Sequence, residues 1–252
     1  MELKEKTRLH LLDAIRGFLL LHMIAFHGMW NLVYLFGVEA PWYRATPGYV
    51  WQQFICWSFI LLSGFCWSMS RNHFKRGALV FGGGAVVSLV TCALMPESRI
   101  LFGVLTCIGS CMLLMIPLEK LAAKIPAGLG AAGSFLLFAL LRNCNDGALG
   151  FEKWVFFPLP DWLYRNNLTA FLGFPQKGFF STDYFSLLPW FFLFVTGYFL
   201  FRITTAKGWN EKLFARGQFP LLNWIGRNSL LVYLLHQPML YGLGMLYFYL
   251  LK

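Results

Sequence analysis

The sequence predicts an all-α fold: a polytopic membrane helix bundle of about seven transmembrane helices, one domain over residues 1–252, with a cytoplasmic N-terminus. Three observations lead there. Hydrophobic residues make up 58% of the chain and charged residues only 13%, whereas soluble domains carry roughly 25% charged residues. Apolar stretches approaching the ~20 residues that a bilayer-crossing helix needs recur along the whole length. The basic residues, finally, favour alternate connections between those stretches.

The spans read as 9–36, 49–70, 77–95, 100–118, 127–142, 185–203 and 228–250. The first is interrupted by Asp13 and Arg16, is too long for a signal-peptide apolar core and lacks a small-residue cleavage site, so it reads as a retained helix. The third contains Gly82-Gly83-Gly84. With no Lys-Ser/Thr tail behind it, this triplet reads as a close helix–helix contact rather than a phosphate loop. The fifth span is short and rich in glycine. After it comes the one long connection, 143–184, carrying Trp154, Pro158, Pro160, Asp161, Trp162, Arg165, Asn166, Asn167 and Phe171. A connection of that length with so many aromatics is ordered, either as a cover over a substrate mouth or as a cap lying on the bilayer.

The net charge of +10 follows the topology. Lys4, Lys6, Arg8, Arg71, Lys75, Arg76, Lys120, Lys124, Arg202, Lys207, Lys212, Arg216 and Arg227 fall on one set of short connections and ends. Arg44, Arg99, Arg142, Lys153, Arg165, Lys177 and Lys252 are on the other, three of them spread along the long connection. This is the positive-inside pattern, placing the N-terminus inside and the C-terminus outside a cell (inner or plasma) membrane. It accounts for the basicity without nucleic acid. Of the six cysteines, Cys56, Cys66, Cys92, Cys107 and Cys111 fall within spans and Cys144 beside the long connection, with neither a disulfide framework nor zinc spacing; no metal is expected. No internal repeat is visible.

The first span carries the polar residues that chemistry would need. Arg16 and His27 are eleven positions apart, about three turns and about 16 Å, with an angular offset of only about 20°. Asn31 continues the face four residues on, and Asp13 precedes Arg16 by three, the spacing of an ion pair that would fix the helix end. Charge at membrane depth persists where it faces a bundle interior, a cavity or a ligand. His10, His22 and His73 read as structural or interfacial. His236 and Gln237 lie about two turns into the last span, with Ser229 on the face of His236.

Several segments are similar to a known family in order and spacing. They are Leu12-Asp13-Ala14-Ile15-Arg16-Gly17, Phe26-His27 with Trp30-Asn31, Ile60 to Gly64, the basic turn Arg71 to Arg76, Arg99 to Gly109, Thr182 to Trp190, and Asn223 to Pro238 with its His236-Gln237-Pro238 ending. Together they resemble the short bacterial proteins related to heparan-alpha-glucosaminide N-acetyltransferase, in the transmembrane acyltransferase superfamily. The spacing of Arg16 and His27 is also similar to that in membrane acyltransferases that decorate surface sugars.

The resemblance implies a single transmembrane acyltransferase-like domain that takes acetyl-CoA from the cytoplasmic side and acetylates an amino sugar or other glycan on the outer side. A first-helix histidine would enter the chemistry. Compatible residues are present. Arg16, Arg71, Lys75, Arg76 and Arg227 suit the phosphates of a CoA nucleotide, although the three at 71–76 also suit topology alone. A thin pantetheine arm could run along the seam from Arg16 towards His27, in a polar tunnel formed by the first, second, fourth and last spans. Ser229, His236 and Gln237 would contact that arm, or else tie the last helix to the first. His27 would be the general base, with Asn31 or Ser63 orienting it or donating to the oxyanion. Two positions depart from the pattern. The lysosomal members carry Asn where His27 stands and place their histidine farther along the outer loop, yet 32–48 here contain none; and Leu105-Thr106 stands where a Leu-His is usual. Other classes remain open on the residues alone. A proton-coupled transporter or flippase would use Asp13, Arg16, His27 and His236 as a relay. A cytochrome would use His27 and His236 as haem ligands, and an intramembrane protease would use Ser63-Gly64 with His236. Flat faces rich in Gly and Phe would suit a homodimer.

Overall fold

A computed structural model describes residues 9–214 and 219–250, without the side chains of Glu211 and Leu213. Lys4, Lys6, Arg8, Arg216 and Lys252, which entered the charge argument, lie outside the described residues. The described residues are predominantly helical, with seven helical stretches long and apolar enough to cross a membrane: His10–Leu35, Thr46–Trp67, His73–Leu94, Val104–Ala122, Ala127–Asp146, Leu187–Ala206 and Ser229–Leu250. The expected spans are all there, with shifted ends. In order the elements are α1 (His10–Trp30), α2 (Pro41–Arg44), α3 (Thr46–Trp67), α4 (His73–Leu94), α5 (Val104–Ala122), α6 (Ala127–Leu140), strands β1 (Ala148–Phe151) and β2 (Trp154–Pro158), then α7 (Asn167–Leu172), α8 (Leu187–Ala206), α9 (Pro220–Arg227) and α10 (Ser229–Met245). They form two compact units, residues 1–59 with 204–252, and residues 60–203.

In the first unit, α1 runs on into a single π-helical turn, Asn31–Leu35, which Phe36 N–H closes by donating to the Asn31 carbonyl at 3.0 Å. Trp51 of α3 donates its indole N–H to His22 Nδ1 at 3.0 Å, and Tyr43 of α2 donates to the Phe26 carbonyl at 3.0 Å. His22 is thus part of an aromatic contact between α1 and α3. The short helix α9 lies directly on α1. A Cβ on Gly17 would fall on the Leu222 carbonyl, and one on Gly226 on the Asp13 carbonyl. The two backbones touch at reciprocal glycines.

The second unit repeats this device twice. A Cβ on Gly64 would strike the Phe194 carbonyl, and one on Gly197 the Leu61 carbonyl, which locks the end of α3 against α8. Gly84 faces the Thr106 backbone and Gly109 the Phe81 backbone, locking α4 to α5. The contact expected of Gly82-Gly83-Gly84 is therefore made by Gly84, while a Cβ at Gly82 would meet nothing within 4 Å. Lipid-facing helices gain little by association except through such close packing and interhelical hydrogen bonds. Both occur here: Ser134 and Thr196 hydroxyls lie 2.9 Å apart between α6 and α8, and Trp67 donates to the Met112 carbonyl at 3.1 Å. Arg202, read above as a topogenic charge, closes the C-terminus of α5 by donating to the carbonyls of Ala122, Ala123 and Ile125 at 2.9–3.1 Å.

Helix α4 starts at His73 rather than near 77 because the Asn72 side chain accepts from Lys75 N–H at 2.8 Å and caps the first turn, satisfying a backbone donor that a helix start leaves open. The long connection is ordered, as its aromatics suggest, and it adds a feature the all-helical expectation lacks: β1 and β2 pair antiparallel. Helix α7 follows, opened by a capping box of Asn166 and Thr169. The segment before α8 is strapped to the α4–α5 connection. Thr182 donates to the Ser98 carbonyl at 3.0 Å, and Leu101 N–H donates to Ser181 Oγ at 2.9 Å. Asp183 accepts from Val104 N–H at 3.2 Å at the start of α5.

Two outcomes follow. Gly64→Ala inserts a methyl into a backbone contact and is expected to destabilise by about 3 kcal/mol, the upper end of overpacking. Gly133→Ala, on an exposed face of α6 where a Cβ meets nothing, should be neutral or stabilise by about 0.5–1 kcal/mol; tryptophan-monitored thermal unfolding in detergent compares them. Burial raises the Asp183 carboxyl from its ordinary 3.8 to about 6, outweighing the opposing Val104 N–H. The folded state therefore holds this proton more tightly than the unfolded chain, and stability falls as pH rises across that window. The unfolding midpoint of wild type relative to Asp183→Asn should drop between pH 4 and 6, and an unchanged difference would place no titration there.

Candidate active site

The polar face of α1 meets α10 within the first unit. The imidazole rings of His27 and His236 lie with centroids 5.0 Å apart at 54°. One turn beyond, Asn31 Nδ2 donates to Gln237 Oε1 at 3.3 Å. Asn31 stands where α1 passes into its π turn, an irregularity that recurs at functional sites. On the other helix, Pro238 lacks an N–H and interrupts the ladder over the turn that bears His236 and Gln237. Both helices thus become irregular where their polar side chains face each other.

The hydrogen bonds fix the chemistry of this meeting point. His236 Nδ1 bonds the Tyr233 carbonyl, and a carbonyl only accepts, so Nδ1 carries the hydrogen. The Nε2 lone pair is left over, buried and without a partner among the described residues. The Asn31 amide oxygen is likewise buried and unpartnered. Their residues are 6% and 3% exposed, so water does not freely supply the missing donors. A polar group left unmatched in such a place is costly and points to something that binds there. Two acceptors beside an imidazole are complementary to an N–H or O–H donor. The carbonyl of Tyr233 and the break at Pro238 were not singled out from sequence, although the Pro was visible in the His236-Gln237-Pro238 ending.

Nearer the start of α1 lies a second cluster. The Asp13 carboxylate is shared: Arg16 Nη1 reaches Oδ1 at 3.0 Å, and Arg227 Nε reaches Oδ2 at 3.5 Å. Arg16 also donates to the Gly226 carbonyl at 3.2 Å, and Arg227 lies 3.4 Å from His10 Nδ1. The i,i+3 pair expected of Asp13 and Arg16 is present, and the network binds α1 to the end of α9. Asn223 of α9, which opens the Asn223 to Pro238 motif but was not picked as a candidate, is buried with its amide oxygen unpartnered among the described residues. Ser229 is partly exposed at the start of α10.

The remaining candidates belong to the second unit. Ser63 sits partly exposed one residue before the Gly64 contact. Arg71 and Lys75 are exposed and Arg76 half-buried around the first turn of α4, whose open N–H groups add to their attraction for anions. His73 stacks on Trp67 at 4.0 Å.

With the polar meeting of α1 and α10 established, its place in a family can be read. The family model described as heparan-alpha-glucosaminide N-acetyltransferase, catalytic, matches residues 8–238. The chain belongs to this family. The match begins just before α1 and ends at Pro238, so it takes in His27, Asn31, His236 and Gln237 together. No curated protein and no solved structure gives a match. Membership in the N-acetyltransferase family marks the chain as acyltransferase-like, and its seven apolar helices mark it as a multi-pass membrane protein.

Removing the shared carboxylate tests the structural half of the site. Asp13→Ala leaves two guanidiniums facing each other in a half-buried place and should lower stability on the order of 3 kcal/mol. The double variant Asp13→Ala/Arg16→Ala should recover part of that loss, a coupling that a double-mutant cycle on thermal unfolding measures.

Proposed function

We propose that this family member transfers an acetyl group from acetyl-CoA at the cytoplasmic face of the cell membrane to an amino sugar or related glycan at the outer face. The observation that carries this reading is the pairing of His27 with His236 beside two buried, unpartnered acceptors, within a chain of acyltransferase type. Attack by an amine or hydroxyl on a carbonyl requires that the nucleophile lose a proton as the bond forms. An imidazole pair is suited to take it, since a neutral ring presents a nitrogen lone pair as a base.

His27 is the general base in this proposal, with His236 held in one tautomer beside it by the Tyr233 carbonyl. Asn31 is a positioning residue: its Nδ2 is engaged by Gln237, and its oxygen accepts a hydrogen from the incoming amine. This contact with the nucleophile differs from the two roles expected of Asn31, orienting His27 or donating to an oxyanion, and it follows from Nδ2 being engaged while Oδ1 is free. Acetyl-CoA would supply the acetyl group as a thioester: its C–S bond breaks as the new C–N or C–O bond forms, and the proton taken by His27 returns to the departing sulfur so that CoA leaves as the thiol. Arg71, Lys75 and Arg76 suit its phosphates, because they are cations at a helix N-terminus on a segment assigned to the cytoplasmic side by the positive-inside pattern. Arg16 and Arg227 are less available for that task, because Asp13 engages both.

The test is radiolabelled acetyl-CoA given to the purified full-length protein, with and without glucosamine-type acceptors. Label should move to the acceptor. His27→Ala and His236→Ala should each slow transfer by about 10²-fold or more while leaving donor binding intact. Arg71→Ala/Lys75→Ala should act mainly on donor KM. Undiminished transfer by His27→Ala removes that residue from the mechanism. Proton-dependent uptake into vesicles without any binding of CoA would replace the enzyme by a transporter.

A further inference from the structure

The hairpin in the long connection presents an apolar edge that the transfer chemistry does not use. Trp154, Val155, Phe156 and Phe157 are 72%, 63%, 55% and 66% exposed. Successive strand residues point to opposite faces, so β2 is bare and apolar on both. Its outer edge also lacks a neighbouring strand, since among the described residues β1 is its one partner in a two-stranded sheet. An edge strand standing in water is ordinarily blunted by charge or proline along its length. Here the charges Glu152 and Lys153 are confined to the turn, and Pro158 only ends the strand.

The hairpin's attachments place it. At its tip, Arg142 pairs with Glu152 at 3.3 Å, and Asn143 Nδ2 donates to the Glu152 carbonyl at 2.9 Å. At its base, Leu159 N–H donates to the Gly147 carbonyl at 2.8 Å, and Tyr164 donates to the Cys144 carbonyl at 2.6 Å. Arg142 to Gly147 lie directly at the end of α6, so both ends of the ribbon are held where a membrane-crossing helix leaves the bilayer. The exposed face of α6, with Leu129 and Leu136, leads up to that point.

We propose that β2 is an interfacial anchor, lying in the boundary between headgroups and acyl chains of the leaflet at the C-terminal end of α6. That boundary matches both halves of the observation. Tryptophan and other aromatic side chains concentrate there because one part of the zone is apolar and the other wet. Its water and headgroup oxygens satisfy the unpaired backbone edge of β2, which the hydrocarbon core would leave unsatisfied. The partner is the lipid surface itself, and the proposal is independent of the reaction proposed above.

The full-length protein in phosphatidylcholine vesicles tests it, using lipids brominated either near the headgroup or near the chain end. The emission lost on Trp154→Phe, taken as a difference from wild type, isolates one indole among the ten. That conservative change at an exposed position leaves the fold in place. Expected is a blue-shifted component quenched at least about twofold more by the shallow bromines than by the deep ones. A component with the emission of hydrated indole, freely quenched by acrylamide and indifferent to brominated lipid, overturns the proposal. So does one shielded from both quenchers that becomes exposed as protein is diluted in lipid, which would make the cover a second copy of this chain.

Discussion

Helices whose surroundings are apolar gain little from hiding apolar side chains, so contact between them has to come from backbones brought close together and from polar groups bonded across the gap. Three pairs of glycines supply the first of these here: Gly17 with Gly226, Gly64 with Gly197, and Gly84 with Gly109. The pattern within each is the same. Each glycine sits against the backbone of the residue three or four positions before its partner, so the pair marks a point where two helices cross with no side chain between them. Large side chains elsewhere on the same helices can then face outward. That is why Leu79, Leu89 and Leu94 of α4 are exposed while Gly77, Gly83 and Gly84 are buried.

The crossing of α1 and α9 has a consequence for charge. Because Gly226 allows the α9 backbone onto Asp13, the next residue, Arg227, comes within reach of the Asp13 carboxylate, while Arg16 reaches the Gly226 carbonyl. A carboxylate and two guanidiniums thereby occupy a place where any one of them alone would be costly. The polar seam of α1 is divided between two tasks. Its first turns hold helices together through ions. Its last turn presents groups whose hydrogen-bonding capacity is partly unused.

Much of this was legible in the sequence, and for definable reasons. Seven spans follow from composition and length, which depend on the bilayer and not on packing. The Asp13–Arg16 pair follows from helical spacing, and Asn31, His236 and Gln237 follow from the motif. What spacing within one helix cannot supply is which partner on another helix each residue meets. The His27–His236 contact, the Asn31–Gln237 bond and the role of Arg202 at the end of α5 all depend on residues at least 77 positions apart. The hairpin was hidden for another reason: β1 and β2 are short, and Gly150 and Pro158 interrupt the alternation that would announce them. Its turn also asks a glutamate, Glu152, to take a positive φ of 53°.

The unused capacity at the α1–α10 meeting also bears on what can bind there. A site whose free groups were donors would favour oxyanions and carbonyl oxygens. His236 Nε2 and Asn31 Oδ1 are both acceptors, and both are buried. Sites with buried polar groups discriminate strongly against ligands that leave them unpaired, by far larger factors than an apolar pocket achieves against one missing methylene. On the proposed reading, this asymmetry means that the two groups recognise the nucleophile through the hydrogens it carries, not through the sugar around it. With His27 taking one hydrogen as base, an amine keeps a second for one of these acceptors, whereas a hydroxyl in the same place keeps none.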